Sequence, residues 1–185
     1  MIKIFGNNLA AAVVLVLGLI NPTLSAIAQS PTINKDEIPS GQRYLADTYK
    51  DWQRLCMKSD QAEDVCHIYQ LIKNQDNLPL GEITVFKATE PEGISAVATI
   101  LTPLGTLLTS QLILTLDDDT KGEYPYSWCD KGGCYVRIAL TDDQVYSMKK
   151  GRSGTIQIES ISAPGEPIIL PISFLGLTAA IGDLR

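Results

Sequence analysis

The sequence predicts an all-β domain cross-linked by disulfide bonds, and three observations indicate this fold class. Short apolar or alternating runs are separated by Pro, Gly, Asn and Asp at intervals of roughly ten residues, which is typical of a β-sandwich or barrel. Four cysteines follow an N-terminal segment typical of exported chains, whose cysteines commonly oxidise to disulfides. Only one segment has helical character.

Residues 1–28 are predicted to be a signal peptide. Lys3 gives a weakly positive start, residues 9–20 form an unbroken apolar run of 12 residues, and Ala26 and Ala28 form the A-x-A cleavage pattern. A helix needs roughly 20 residues to cross a bilayer, so the run is short for a permanent anchor. We expect cleavage after Ala28, with an uncleaved anchor as the alternative, and no stable membrane insertion after cleavage.

Residues 29–47 are predicted to form a flexible leader, because they contain Pro31, Pro39 and scattered charges without apolar periodicity. The folded domain is then expected to comprise residues 48–185. The net charge is −6 for the whole chain, and it becomes −7 when the signal segment with its single basic residue is removed. Such an acidic chain repels phosphate backbones, so we expect no nucleic acid partner.

Eight strands are predicted within this domain. The clearest covers residues 155–161, where Ile156 and Ile158 alternate with polar side chains, and residues 134–140 alternate in the same way. The other six candidates are residues 52–57, 65–72, 82–89, 94–101, 111–116 and 167–174.

One short helix is predicted over residues 142–150. Thr141 is a suitable N-cap, acidic residues occupy the first turn, and lysines occupy the last. Gly151 is expected to end the helix.

The four cysteines form two close couples, Cys56 with Cys66 and Cys129 with Cys134. Local pairing is favoured, since cross-pairing would require Cα atoms within about 6.8 Å across the fold. Gly132 and the next glycine would also permit a tight reversal between the second couple. Cross-pairing, a zinc site and a redox dithiol remain alternatives, although neither couple has the spacing of a zinc knuckle or of Cys-x-x-Cys. We predict no metal site and no cofactor.

His67 is the only histidine, so a hydrolase would have to be built around it. Ser59, Ser110 or Ser127 could approach it in space, but no Gly-x-Ser-x-Gly motif marks a nucleophile. We therefore predict no catalytic residues and do not expect an enzyme.

An aromatic group surrounds the second cysteine couple and is a possible binding surface. It consists of Tyr124, Tyr126, Trp128 and Tyr135. Tyr and Trp supply large, rigid contact areas with one polar end, which suits recognition of a protein or glycan. The alternative is that these side chains cover the disulfide and fill the core.

Several short motifs resemble the invasion-associated locus B family, and the resemblance extends from about residue 49 to the C-terminus. The motifs are Trp52-Gln53-Arg54-Leu55-Cys56 followed by Cys66, Cys129 with Gly133-Cys134, Lys150-Gly151, Pro171-Ile172-Ser173 and Gly176-Leu177-Thr178-Ala179-Ala180. The resemblance implies an exported bacterial envelope protein with an immunoglobulin-like β-sandwich and two local disulfides. It also implies a link, in some pathogens, to entry into host cells, and it carries over no catalytic residues.

The leading hypothesis is a noncatalytic protein of the periplasm or of the secreted fraction that binds an envelope or host protein. Strand edges, loops and the aromatic group are the candidate contact elements, since sheet edges can accept a partner's strand. The rival is a small periplasmic hydrolase built around His67. A structural or stress-protective envelope component is the third possibility.

Overall fold

The computed structural model describes residues 37–184, apart from residues 61, 62, 75, 89 and 118. The predicted signal peptide, residues 1–28, lies outside this part of the chain, as does the beginning of the predicted leader. The elements are β1 (Arg43–Tyr49), β2 (Trp52–Met57), β3 (Val65–Lys73), β4 (Pro79–Lys87), β5 (Ile94–Thr102), β6 (Leu112–Leu116), β7 (Lys121–Tyr124), β8 (Trp128–Asp130), β9 (Gly133–Thr141), α1 (Asp142–Lys150), β10 (Ser153–Ser160), β11 (Ala163–Ser173) and α2 (Leu177–Gly182).

The strands form two antiparallel sheets. The larger sheet has seven strands in the order β1-β2-β3-β4-β5-β9-β8, and the smaller has four in the order β11-β10-β6-β7. The predicted all-β sandwich is confirmed. Its larger sheet has more strands than either sheet of an immunoglobulin domain, because the first five strands follow one another as a continuous meander.

All eight predicted strands are present, and α1 has its predicted bounds, N-cap and stop. Three strands, β1, β7 and β8, and the helix α2 are additions that the sequence does not predict. The expected domain boundary at residue 48 lies inside β1, so part of the predicted leader belongs to the larger sheet. β1 is an edge strand with exposed and partly buried residues in mixed order, whereas β7 and β8 have only four and three residues.

The core lies between the facing surfaces of the two sheets. Alternate residues of β3, β4, β5 and β9 point into it from one side, and those of β6, β10 and β11 point into it from the other. Its largest fully buried side chains are Trp52, Ile68, Ile72, Ile83, Ile100, Leu112, Ile138, Leu140, Met148, Ile156, Leu170 and Ile172.

Side chains join the two sheets at one corner, where β3 faces the end of β11. The Gln70 Oε1 atom accepts a hydrogen bond from the Ser173 N–H at 2.9 Å, and its Nε2 donates to the Ser173 carbonyl at 3.0 Å. Trp52 Nε1 donates to the same carbonyl at 2.9 Å. Ser173 is the last residue of β11, which is an edge strand, so these side chains satisfy backbone groups that lack a neighbouring strand. We call this corner the clasped corner.

Both disulfides pair locally, as favoured from the sequence. Cys56 and Cys66 lie directly opposite each other on β2 and β3, and Cys129 and Cys134 lie opposite each other on β8 and β9. In each pair the Cα atoms are 4.1 Å apart. Each bridge therefore ties two adjacent strands of the larger sheet.

Removing the bridge between Cys56 and Cys66 should destabilise the domain more than removing the other bridge. In the chain-entropy model, a loop of about ten residues contributes about 2.7 kcal/mol and one of about five contributes about 2 kcal/mol. Each bridge has one buried cysteine, Cys56 or Cys134, so the loss of packing is similar in both cases and the loop length decides the ranking. Urea denaturation of the Cys56→Ala/Cys66→Ala and Cys129→Ala/Cys134→Ala double variants measures the two losses, which serve as controls for each other. A greater loss from the second pair would contradict this ranking.

Candidate binding surface

The outward face of the larger sheet carries a continuous apolar row. Strand register places Leu45, Leu55 and His67 side by side on β1, β2 and β3. The row continues through Phe86 and Val97 to Ala139 on β4, β5 and β9. We call these six residues the outer row.

Part of the outer row is open to solvent. Leu45 is 42% exposed and Phe86 is 37% exposed, and at the same end of the sheet Met57 and Val65 are 43% and 65% exposed. An antiparallel sheet with one free face usually presents polar side chains there. The run of apolar side chains makes this face the candidate binding surface of the larger sheet.

The rows of side chains on the outward face of the larger sheet differ in polarity. The neighbouring row across the sheet, defined by the same register, is mainly polar and consists of Gln53, Tyr69, Thr84, Thr99 and Arg137. The row beyond it is mixed and consists of Leu71, Glu82, Leu101, Tyr135 and Trp128. On this side the outer row therefore has a polar border, whereas on its other side it adjoins Met57 and Val65.

The predicted aromatic group divides between the core and the outward face of the larger sheet. Trp128 is 43% exposed and stacks on Tyr135, with ring centroids 4.7 Å apart and an interplanar angle of 12°. Tyr124 and Tyr126 pack instead against the core. The Tyr124 hydroxyl accepts a hydrogen bond from Gln144 Nε2 at 2.9 Å, and burial raises the pKa of Tyr126. Only Trp128 and Tyr135 can contribute to an outward surface.

His67 lies within the outer row and is not part of a catalytic arrangement among the described residues. Its ring packs against Phe86, with centroids 5.0 Å apart, and its neighbour across β2 is Leu55. In the described part of the chain no hydrogen bond links it to a serine or carboxylate. Of the serines considered, Ser127 accepts a hydrogen bond from the Arg137 N–H. Within the described residues, His67 thus packs against Phe86 and is not joined by a hydrogen bond to Ser127.

The setting of His67 should make stability depend on pH. Burial, followed by the nearby charge of Arg43, lowers the pKa of His67 from its ordinary value of 6.5. The unfolded chain then binds a proton at a higher pH than the folded chain, so stability falls as the pH drops through about 6.5 toward the folded value. We expect His67→Gln to weaken this dependence in unfolding measured between about pH 7.5 and pH 5.5. An identical dependence in both proteins would contradict the assignment.

The strand edges are less suited than this face to accept a partner's strand. The backbone N–H and carbonyl of Ser173 bond to the Gln70 side chain and therefore point away from β10. Every second residue of an antiparallel strand directs its backbone groups the same way, so those of Pro171, Ile169 and Pro167 also lie on the free edge of β11. Two of these three have no N–H to donate, and proline at such positions blocks strand addition. At the opposite end of this sheet β7 is short, as is β8 at one edge of the larger sheet, and the pairing of β1 is irregular after Leu45.

No cluster of three or more His, Cys, Asp or Glu residues capable of holding a metal occurs in residues 37–184 as far as they are described. In the acidic turn after β6, the Asp117 carboxylate accepts a hydrogen bond from the Arg152 N–H at 2.7 Å, which links β6 to the start of β10. Within the described residues no helix is sufficiently long and apolar to cross a membrane.

Comparison with known proteins gives a family match and similar solved structures. Residues 52–185 match the family model of the invasion associated locus B (IalB) protein. The crystal structure of invasion associated protein B from Bartonella henselae is similar with a TM-score of 0.64 and 22% identity, over 76% of this chain and 95% of that one. At 22% identity, this similarity indicates a shared fold and nothing further. No curated protein matches the chain.

Proposed function

The chain belongs to the invasion-associated locus B family, and on that premise we propose that it is an exported, noncatalytic envelope protein that acts by binding another protein. Two cross-strand disulfides support an oxidising compartment, namely the periplasm or the exterior of the cell. The predicted signal peptide agrees with export.

The outer row is the observation that carries this proposal. Neighbouring strands lie about 4.8 Å apart, so a row across six strands extends about 24 Å, which is the width of a small protein contact. Leu45 and Phe86 of the outer row, with Met57 beside it, provide apolar area that water would otherwise cover. Removing such area from water is the main driving force of protein association.

The strand edges are compared with the outward face of the larger sheet as places where a partner can bind. Prolines on β11 and the brevity of β7 and β8 disfavour strand addition, whereas the outer row offers side chains that can interdigitate with a partner. We therefore place the contact on the face of the larger sheet, with its polar neighbouring row forming the rim.

The partner is a protein of the envelope or of a host cell surface. The similar Bartonella protein bears the description invasion associated, which is a property of that protein. Here it is a reason to include host surface proteins among the partners tested.

Polar substitution of the outer row should abolish complex formation without unfolding the domain. Leu45→Ser with Phe86→Ser removes two exposed apolar contacts, and we expect at least about a tenfold loss of the crosslinked complex in intact cells. Ile169→Ser is the matched control, since Ile169 is a 49% exposed apolar residue on the smaller sheet. Equal loss in the control, or full retention in the double variant, would contradict a contact at the outer row.

A further inference from the structure

An open groove of about 590 Å³ lies where the two sheets meet at the clasped corner. Its polar lining comes from Lys50, Asp51, Gln53, Tyr69, Lys73 and Ser153, together with the Gln70 and Ser173 pair described above. The groove is separate from the outer row and is formed by residues of β2, β3, β10, β11 and the β1–β2 turn. Its volume is within the range of small-molecule sites.

We infer that this groove binds a small organic anion, with a carboxylate or phosphate held by Lys50 and Lys73 and a hydroxyl-bearing body held by Gln53 and Ser153. The groove shares Gln53 and Tyr69 with the polar row beside the outer row, but its ligand is inferred without reference to the proposed protein contact. The ligand class follows from charge, from the geometry of one turn and from the remaining polar groups.

Charge is the first argument. The chain has a net charge of −6, yet two of its lysines line this one groove. Neither forms an ion pair with another residue in the described part of the chain, where lysine and arginine pairs involve Lys58 and Arg54. The carboxylate of Asp51, which also lines the groove, accepts a hydrogen bond from the Ser173 hydroxyl at 2.6 Å. The residues that line the groove therefore include two lysines and one carboxylate that already accepts a hydrogen bond.

The conformation of Lys50 is the second argument. Its φ angle is +56°, a left-handed conformation that costs a non-glycine residue about 1 kcal/mol or more. Three contacts hold the turn in place. Gln70 Nε2 donates a hydrogen bond to the Asp51 carbonyl, and the Asp51 N–H donates one to the Leu175 carbonyl. Gly176 packs closely against the Tyr49 carbonyl. Glycine or asparagine would suit this position better for folding alone. Because Tyr49 pairs with Trp52, the positive φ belongs to a two-residue hairpin loop, and this fixed turn holds the backbone of Lys50 in one position beside the groove.

The other polar groups suit a hydroxylated ligand. Gln53 and Ser153 present an amide and a hydroxyl, which can both donate and accept hydrogen bonds. Burial, followed by Glu82, raises the pKa of Tyr69 to about 12, so its phenol stays neutral at pH 7 and adds no negative charge to the groove. The groove can thus bind the charged end and the body of one small molecule.

The test uses glucuronate as the probe and glucose as its uncharged counterpart, added to the mature protein labelled with ¹⁵N. We expect saturable shifts of backbone amides in the groove with glucuronate, and at least about a tenfold weaker response to glucose. Inorganic phosphate should compete with glucuronate for the same amides. Equal responses to glucuronate and glucose, or shifts that do not map to the groove, would overturn the inference.

Three single variants complete the test. Lys50→Gln and Lys73→Gln should each weaken glucuronate binding by about tenfold, whereas Lys149→Gln, which removes the same charge from α1, should leave it unchanged. Lys50→Gly should raise the melting temperature or leave it unchanged while it weakens binding, because glycine accepts the left-handed turn. Undiminished binding in both Lys50 variants and in Lys73→Gln would refute the role of the lysines, whatever their stability.

Discussion

Replacing Trp52 with Ala should lower the free energy of unfolding by about 3–5 kcal/mol, the range for truncation of a buried aromatic residue. Trp52 has 0% exposure at the clasped corner of the sandwich. Its loss leaves a cavity between the sheets and removes the indole hydrogen bond to the Ser173 carbonyl. Urea denaturation, followed by far-ultraviolet circular dichroism, measures the change.

Trp128, the other tryptophan of the chain, serves as the control for Trp52. Trp128 is 43% exposed on β8 and stacks on Tyr135, so Trp128→Ala should cost about 1 kcal/mol, mainly from the lost stacking. Trp52→Phe separates packing from hydrogen bonding. Because Gln70 still donates to the Ser173 carbonyl, this variant should lose markedly less than Trp52→Ala. Similar losses for Trp52→Ala and Trp128→Ala would contradict the position of the core.

Replacing Gly176 with Ala should lower the free energy of unfolding by about 3 kcal/mol or more, because steric overlap adds to backbone strain. Gly176 has φ +91°, and a Cβ atom placed there would lie 1.8 Å from the Tyr49 carbonyl oxygen. That oxygen is backbone of β1, so the strand or α2 would have to move. The same unfolding experiment measures the loss.

Gly165→Ala is the matched control for backbone conformation. Gly165 has φ +83°, and a Cβ atom at this position would have no neighbouring atom within 4 Å, so its substitution should cost only about 1 kcal/mol of left-handed strain. The difference between the two variants isolates the contact between Gly176 and β1. Equal costs would mean that β1 does not pack against the residue that precedes α2.

The helix α1 illustrates what the sequence predicts well. Its N-cap is Thr141, whose side chain accepts a hydrogen bond from the Gln144 N–H while the Gln144 side chain bonds back to the Thr141 N–H. These contacts span three residues, so the local sequence contains all the information. The alternating strands β9 and β10 are predictable for the same reason.

The outer row is not predictable from the sequence, because it depends on register between strands. Leu45 and Leu55 face each other only when β1 is paired with β2, and the composition of residues 29–47 places most of β1 in the leader. A partial signal is present in β5, where Val97 and Leu101 are apolar on the outward face although Ala98 and Ile100 already supply the inward face. A strand that is apolar on both faces indicates that both faces make contacts.

The groove and the clasped corner are likewise outside the reach of sequence analysis. The alternation of Ile68, Gln70 and Ile72 places Gln70 on the inward face of β3. Gln70 and Ser173 are 103 residues apart, so only the fold shows that they are hydrogen-bonded. In the predicted aromatic group, Tyr124 and Tyr126 pack against the core and Trp128 is exposed, a division that the composition of the group does not indicate.

Hydroxyl-radical footprinting of the outer row in the native envelope tests the central claim most directly. Met57 and Phe86 are exposed on the outward face, and Tyr146 on α1 is 57% exposed and lies outside that face. If the outer row binds a partner, Met57 and Phe86 should react readily in the purified protein and be protected in intact cells, while Tyr146 reacts equally in both. Equal reactivity of Met57 and Phe86 in the two settings would contradict the account.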